Sequence, residues 1–214
     1  MTRLTRRALA LGLAALPLPA LAQRAPPAPL SPADRALVDR AAAYLQDLTE
    51  AKGRFVQTDA RGAVTQGSIY IKRPGKARFE YDKPSGLLVV SDGGNVSIAD
   101  SRLKTFDAYP LMATPLSIFL SRQIRLDKNI NVTRVSKMAD GFSITARDGK
   151  KQAEGEITLT FSDSPLALIG WTVTDAQGSS TRIRLTNLTK TSGLPASLFV
   201  LKDPRPRNVG RGKM

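Results

Sequence analysis

The residue types that carry most acid–base and metal chemistry in proteins are scarce in this sequence. Its 214 residues include no histidine and no cysteine, which excludes Ser-His and Cys-His catalytic pairs, His/Cys zinc and copper sites, and disulfides. Acid–base chemistry would fall to 18 carboxylates, lysine or tyrosine, and no carboxylate pair stands out among them. Asp92, in Ser91-Asp92-Gly93, is typical of a turn. We therefore expect a protein that is not an enzyme and that uses no metal and no cofactor.

One arginine has a spacing that points to a specific contact. Ile69, Ile71 and Arg73 alternate along one segment, which places their side chains on the same face of a strand. Arg73 would then end an apolar, inward-facing row, with donors free for the backbone carbonyls of a covering helix. The residues alone favour the plainer interpretation, a solvated arginine at a turn.

Two helices are available to cover such a row. Ser31-Pro32-Ala33-Asp34 supplies an N-cap, a proline at the first helical position and an acid, and predicts a helix over about 32–49. Its apolar residues share one face at helical spacing: Leu37, Ala41, Tyr44, Leu45 and Leu48. Thr114-Pro115 opens a second, short helix over about 115–122. Its apolar residues are Leu116, Ile118, Phe119 and Leu120.

Elsewhere the apolar residues recur with a period of two, which is typical of strands. The predicted strands are 54–59, 64–72, 76–82, 86–91, 95–99, 103–107, 131–137, 141–147, 155–162, 166–175 and 180–189. About eleven strands in meander order predict one large antiparallel sheet or barrel with one apolar face. Two short helices over that face leave two solutions, a filled core or a cavity for an apolar ligand. The pattern alone favours the filled core.

The first 22 residues are typical of a signal peptide. Arg3, Arg6 and Arg7 precede an apolar run of 11 residues over 8–18, and Ala20-Leu21-Ala22 predicts cleavage between Ala22 and Gln23. Arg6-Arg7 also resembles a twin-arginine signal, which leaves the export route open. No other segment is long and apolar enough to span a bilayer. We expect a soluble, extracytoplasmic protein, most naturally in the periplasm.

The remaining chain divides into three parts. A proline-rich linker covers 23–33, one folded domain covers 34–204 and a basic tail covers 205–214. The net charge is +14, but export and an aromatic content of 6% argue against nucleic acid as a partner. Attraction to anionic membrane surfaces and a merely solubilising surface both remain open.

Several motifs occur in an order that resembles a known family. They are Phe55-x-Gln57, Gly67-x-Ile69-x-Ile71-Lys72-Arg73-Pro74-Gly75, Phe79-x-Tyr81 with Pro84, Leu88-Val89-Val90-Ser91-Asp92-Gly93, Thr114-Pro115-Leu116, and Phe199 with Pro204. The set covers nearly all of 34–204 and resembles the LolA-type carriers, which move lipoproteins to the outer membrane. The chain departs from the family at Ala77, Ser97 and Ala99, where the family often has aromatic residues. These departures imply a roomier cavity and leave the identity of the lipid cargo open.

The resemblance implies an unclosed, half-pipe antiparallel β-barrel with a helical lid and an apolar cavity between them. The cavity residues would be Phe55, Ile69, Ile71, Ala77, Phe79, Tyr81, Phe142 and Ile144. The lid residues would be Leu37, Tyr44, Leu45, Leu48, Leu116, Phe119 and Leu120. The family gives the arginine that matches Arg73 the role of a latch between sheet and lid.

The resemblance also implies partners. A monomeric carrier would take lipidated proteins from an inner-membrane lipoprotein-releasing transporter and pass them to an outer-membrane acceptor or to the membrane surface. Related folds carry glycolipids or act as envelope sensors. A glycolipid carrier therefore stays open as an alternative, as does a lipid-sensing or interaction module that extracts no lipid.

Overall fold

The computed structural model describes residues 29–124, 130–149 and 154–203. Two α-helices are present in these ranges, α1 (Pro32–Asp47) and α2 (Leu116–Leu120), with short 3-10 helices at Leu111–Ala113 and Ala196–Phe199. The strands are β1 (Glu50–Thr58), β2 (Val64–Lys72), β3 (Lys76–Tyr81), β4 (Leu87–Asp92), β5 (Asn95–Asp100), β6 (Thr105–Pro110), β7 (Ile130–Met138), β8 (Gly141–Asp148), β9 (Glu156–Asp163), β10 (Leu166–Thr174) and β11 (Ser180–Lys190). The predicted leader, its cleavage site at Ala22 and Gln23, and the basic tail lie outside the described residues.

The eleven strands form one antiparallel sheet that does not close. Their order is β6-β5-β4-β3-β2-β1-β11-β10-β9-β8-β7, so β6 and β7 are the two edges. The predicted fold class is confirmed. The order departs from a single meander at one place, because the chain leaves the sheet after β6, forms α2, and returns at the opposite edge as β7. Two meanders are thus joined through the pairing of β1 with β11.

The first strand begins earlier than predicted, at Glu50 instead of residue 54. Gly53, interpreted from the sequence as a break before the strand, lies inside β1 at an irregularity in its pairing with β11. A Cβ atom at this position would lie only 2.9 Å from the Cα of Leu188. The glycine therefore permits close backbone approach at a bulge.

Helix α1 begins and packs as an amphipathic helix should. The backbone N–H of Asp34 donates to the Ser31 Oγ at 3.1 Å, which caps the first turn. The predicted apolar face packs towards the core, with Leu37 and Tyr44 half-buried, and Val38, which the prediction omitted, is buried as well. The buried residues are Val38, Ala41, Leu45 and Leu48. Their spacing of three and four residues makes a narrow stripe over the sheet.

Candidate functional site

The residues predicted to line the cavity lie together on the face of the sheet that the helices cover, here called the inner face. Phe55, Ile69, Ile71, Ala77, Phe79, Phe142 and Ile144 are buried in one hydrophobic cluster, and Tyr81 packs against it half-buried. Strand pairing accounts for part of this grouping, since Ile69 lies opposite Phe79 and Ile71 opposite Ala77. In this closed form the inner face is packed against side chains of the helices.

The predicted lid residues belong to the same cluster. Leu45, Leu48, Phe119 and Leu120 are buried, and Leu37, Tyr44 and Leu116 pack against the cluster half-buried. The ring of Tyr44 meets Phe161 edge-on at 6.1 Å. Both helices therefore cover the inner face with apolar side chains.

An aromatic group that the sequence analysis missed lies at the centre of this arrangement. Trp171 of β10 is only 3% exposed. Its ring stacks on Phe119 of α2 at 5.7 Å between centroids and meets Phe79 of β3 at 6.0 Å. The pairing of β10 with β9 is irregular between Leu168 and Gly170. Uninterrupted period-two alternation from Leu168 would have placed Trp171 on the opposite face of the sheet, and the irregularity brings both residues to the inner face.

One polar pair lies on the inner face. The Tyr81 hydroxyl donates to the Gln57 Oε1 at 2.6 Å, and Phe55 meets the Tyr81 ring edge-on at 5.0 Å. Burial raises the pKa of the Tyr81 phenol to about 12, although its hydrogen bond to Gln57 opposes that shift. The phenol therefore remains a neutral donor throughout the physiological range.

Arg73 follows β2 directly and reaches both helices. Its Nη1 donates to the backbone carbonyl of Leu45 near the end of α1, and its Nη2 donates to that of Ser121, just after α2, at 2.6 Å. Burial lowers the pKa of the guanidinium, which still remains charged at physiological pH. Its Nε has no hydrogen-bond partner among the described residues. One planar side chain thus joins the sheet to the carbonyl-rich ends of two helices, where a cation is favoured.

A second polar tie between the helices was also missed. The side-chain amide of Gln46 donates from Nε2 to the carbonyl of Arg122 at 3.2 Å and accepts the N–H of Ile124 at its Oε1 at 3.1 Å. Nothing in the sequence distinguishes Gln46 from any other exposed polar residue on α1. The backbone N–H of Gly75 also donates to the carbonyl of Leu120 at 2.7 Å. The end of α2 is therefore bonded both to α1 and to the β2–β3 turn.

The outer surface of α1 is tied to the sheet by two ion pairs. Arg40 Nη2 lies 2.7 Å from Asp163 Oδ1 at the end of β9, and Asp47 pairs with Lys190 of β11. All four side chains are largely exposed, and such pairs contribute at most about 1 kcal/mol. The apolar stripe and the Arg73 and Gln46 hydrogen bonds therefore dominate the attachment of the helices.

Two further observations bear on function. Within the residues that the structure describes, no group of three or more acidic side chains is arranged to hold a metal ion. In the same part of the chain, no helix has both the length and the apolar character needed to cross a membrane.

Comparison with known proteins identifies the family. The sequence model described as Outer membrane lipoprotein carrier protein LolA matches residues 46–202. The chain belongs to the LolA family. The match includes α2, every strand and Arg73, and confirms the resemblance drawn from the ordered motifs.

Similar LolA-family proteins span nearly the same length. An outer-membrane lipoprotein carrier protein from Chromobacterium violaceum is 26% identical over 216 residues, which cover 98% of this chain and 96% of that protein. One from Dechloromonas aromatica is 28% identical over 182 residues, covering 80% of this chain and 86% of that protein. Among solved structures, a LolA superfamily protein from Nitrosomonas europaea superposes with a TM-score of 0.45 at 9% identity, covering 77% of this chain and 98% of that one.

Proposed function

We propose that this LolA-family protein is a periplasmic carrier that shields the acyl chains of lipoproteins between the inner face and the two helices. It would receive them from an inner-membrane transporter and deliver them to an acceptor or to the outer membrane. The observation that carries the proposal is the bridging of both helix ends by Arg73. Because of it, releasable hydrogen bonds add to the apolar contacts that hold the cover on the inner face, while the sheet holds itself together.

The free-energy cost of exposing acyl chains to water explains why a carrier is needed. Three acyl chains contain roughly 45 methylenes, and at about 0.8 kcal/mol each their full exposure to water would cost on the order of 35 kcal/mol. Spontaneous transfer through water is therefore negligible. A carrier must replace most of that burial, yet its grip must stay comparable to that of a membrane so that it can release its cargo.

In the proposed cycle, acyl chains compete with the helices for the inner face. Helix α2 is the smaller cover, since it contributes mainly Ile118, Phe119 and Leu120 to the core. Its displacement would break the Arg73–Ser121 hydrogen bond and separate Phe119 from Trp171. Apolar side chains would be exchanged for acyl chains of similar character, so we expect the net free-energy change to be small. We propose that α2 moves first for this reason.

The proposal is tested by identifying what the protein carries. Protein purified from the native periplasm is extracted and analysed by mass spectrometry, with Arg73→Leu purified in parallel. We expect lipidated proteins in the wild type and a larger bound fraction in the variant, because the variant cannot hold the lid closed.

Each alternative function predicts a different molecule bound to the purified protein. A glycolipid carrier would yield glycolipid in place of lipoprotein, and a sensing or interaction module would yield a protein partner without lipid. Wild-type and variant protein that are both free of lipid and of lipidated protein would contradict the carrier function altogether.

A further inference from the structure

Two turns meet at the end of β3 that lies away from Arg73. They are the β3–β4 turn, residues 82–86, and the β5–β6 turn, residues 101–104, and together they are called the basic rim here. The backbone N–H of Ser101 donates to the carbonyl of Gly86 at 3.0 Å. A Cβ atom on Gly86 would lie 2.6 Å from the Ser101 Oγ. The absence of a side chain at Gly86 therefore lets the two turns join into one continuous edge.

The basic rim carries an exposed aliphatic side chain between two cations. Leu103 is 72% exposed at the tip of the β5–β6 turn, and Arg102 and Lys104 flank it. The carboxylate of Asp100 accepts the backbone N–H groups of Arg102 and Leu103 at 2.8 and 3.0 Å. The tip is thus fixed by its own hydrogen bonds, and Leu103 stays in solvent instead of folding onto the sheet.

The cations of the basic rim are free, whereas nearby acids are engaged. Lys83, Arg102 and Lys104 form no ion pair with any acidic side chain in the described ranges. Two adjacent acids pair with other cations, Glu80 with Arg78 at 3.1 Å and Asp82 with Arg54. Asp100 accepts backbone N–H groups of the rim's own turn and keeps its negative charge. The three cations outnumber this carboxylate, so the rim presents a net positive charge.

Two cavities open beside these cations. The larger, of about 770 Å³, has an apolar wall of Tyr81, Leu87, Leu88 and Ala99, and Lys83, Lys104, Glu80 and Asp100 also line it. The second, of about 470 Å³, is lined mostly by polar residues, among them Lys83, Arg102 and Asp82, together with Val64, which is 66% exposed. A single exposed leucine is ordinary. A leucine and a valine among these cations, beside the apolar wall of the larger cavity, form an amphipathic surface.

We propose that the basic rim docks on the surface of an anionic phospholipid bilayer. Leu103 would insert at the level of the upper acyl chains, and Lys83, Arg102 and Lys104 would lie beside lipid phosphates. Charge complementarity selects this partner, because cations that flank a projecting aliphatic side chain suit an anionic interface. The net charge acts in the same direction: it is +14 for the whole sequence and +11 once the three leader arginines are removed, with 29 basic against 18 acidic residues. The inference deepens the proposed function by naming the surface that meets the membrane.

The test of insertion uses the absence of cysteine in the chain, which makes any introduced thiol a unique labelling site. Leu103→Cys carries an environment-sensitive fluorophore, and Met138→Cys, a 47% exposed position at the end of β7, is the matched control. Full-length purified protein is added to vesicles of phosphatidylcholine, with or without one-third phosphatidylglycerol. We expect a blue shift and quenching by bilayer-depth probes only at Leu103 and only with the anionic vesicles.

The test of charge uses Arg102→Gln combined with Lys104→Gln. We expect about thirtyfold weaker partitioning to anionic vesicles, because each cation near the surface contributes about 1 kcal/mol. Arg134→Gln with Lys137→Gln, two exposed charges on β7, is the matched control and should change little. A chain ending at Asp203 removes the basic tail and should keep its Leu103 insertion. Tryptophan fluorescence verifies that each variant is folded.

Several outcomes would overturn the proposal. They are no binding to anionic vesicles, equal blue shifts at Leu103 and Met138, binding that depends on the tail alone, or a Leu103 signal that requires a membrane protein. Because the vesicles contain no lipoprotein, docking is scored independently of cargo. A protein that docks but never carries lipid would contradict the proposed function only, and a loaded carrier that fails to dock would contradict this inference only.

Discussion

Among the described residues, Arg73 is the side chain that hydrogen-bonds both helices to the sheet, and its replacement by leucine removes those bonds. Two charge-assisted hydrogen bonds are lost, to the carbonyls of Leu45 and Ser121, each typically worth about 1.5–3 kcal/mol. Part of that stabilisation is offset in the wild type, because the guanidinium is partly desolvated and its Nε is unpaired. We take the net stabilisation of the closed form as about 2–3 kcal/mol, or about 30- to 150-fold in the open–closed balance.

The direction of the effect follows from when these bonds exist. We expect them only in the closed, empty form, so they oppose loading and favour release. Arg73→Leu should then take up lipoprotein at least as well as the wild type but deliver it poorly. Arg73→Lys should be intermediate, since an ammonium keeps the charge but loses the planar fork that reaches two carbonyls.

The assay has two stages, uptake from donor vesicles that contain the releasing transporter and delivery to acceptor membranes. Fluorescence of Trp171 reports the lid separately, because Phe119 stacks on that ring in the closed form. Arg134→Leu is the matched control, since Arg134 is exposed on β7, outside both the helices and the basic rim. Delivery by Arg73→Leu at the wild-type rate would refute the latch while leaving the inner face as a binding surface.

Three other substitutions probe the cover and its supports. Leu45→Asp places a charge at a fully buried position and should lower the free energy of unfolding by at least about 3 kcal/mol. The control Ala43→Asp lies at an exposed position of the same helix and should change this free energy little. Equal losses in the two variants would argue that α1 does not cover the sheet. The folded state holds the Tyr81 proton up to a pKa of about 12, whereas an unfolded tyrosine releases it near pH 10. The free energy of unfolding should therefore fall by about 2–3 kcal/mol as the pH rises from about 10 to about 12. Urea unfolding should show that extra loss in the wild type and not in Tyr81→Phe, and identical curves would contradict it. The carboxylate of Glu50 accepts the backbone N–H of Leu194 at 2.8 Å, so Glu50→Gln should speed hydrogen exchange at that amide. Unchanged exchange would show that this hydrogen bond does not hold residue 194 in place.

The strands were predictable wherever one face is buried and the register is regular. Buried positions alternate from Gly67 to Ile71 and Pro74-Gly75 follows, and β2 has the predicted limits, 64–72. The bulge at Gly53 and the irregularity before Gly170 were not predictable, because each depends on the neighbouring strand. These two irregularities account for the wrong start of β1 and for the omission of Trp171.

In the candidate site, the positions of side chains were predictable, whereas their backbone partners were not. Alternation from Ile69 placed Arg73 at the end of the inner-face row, but its acceptors are backbone carbonyls, and a carbonyl carries no signal in the residue type. The same limit applies to Gln46, whose partners are the backbone of residues 122 and 124. The latch function itself stays a prediction.

The pairing of the first strand with the last has a consequence for how the chain acquires its structure. Thr58 pairs with Arg182, roughly 120 positions further along the sequence, so the middle of the sheet is completed only when the final strand arrives. Until then β1 exposes a row of unpaired N–H and C=O groups, and the N-terminal meander ends in an open edge. Closing so long a loop is slow. We therefore expect the nascent polypeptide to pass through a stage that is prone to aggregation and that ends only when β11 is in place.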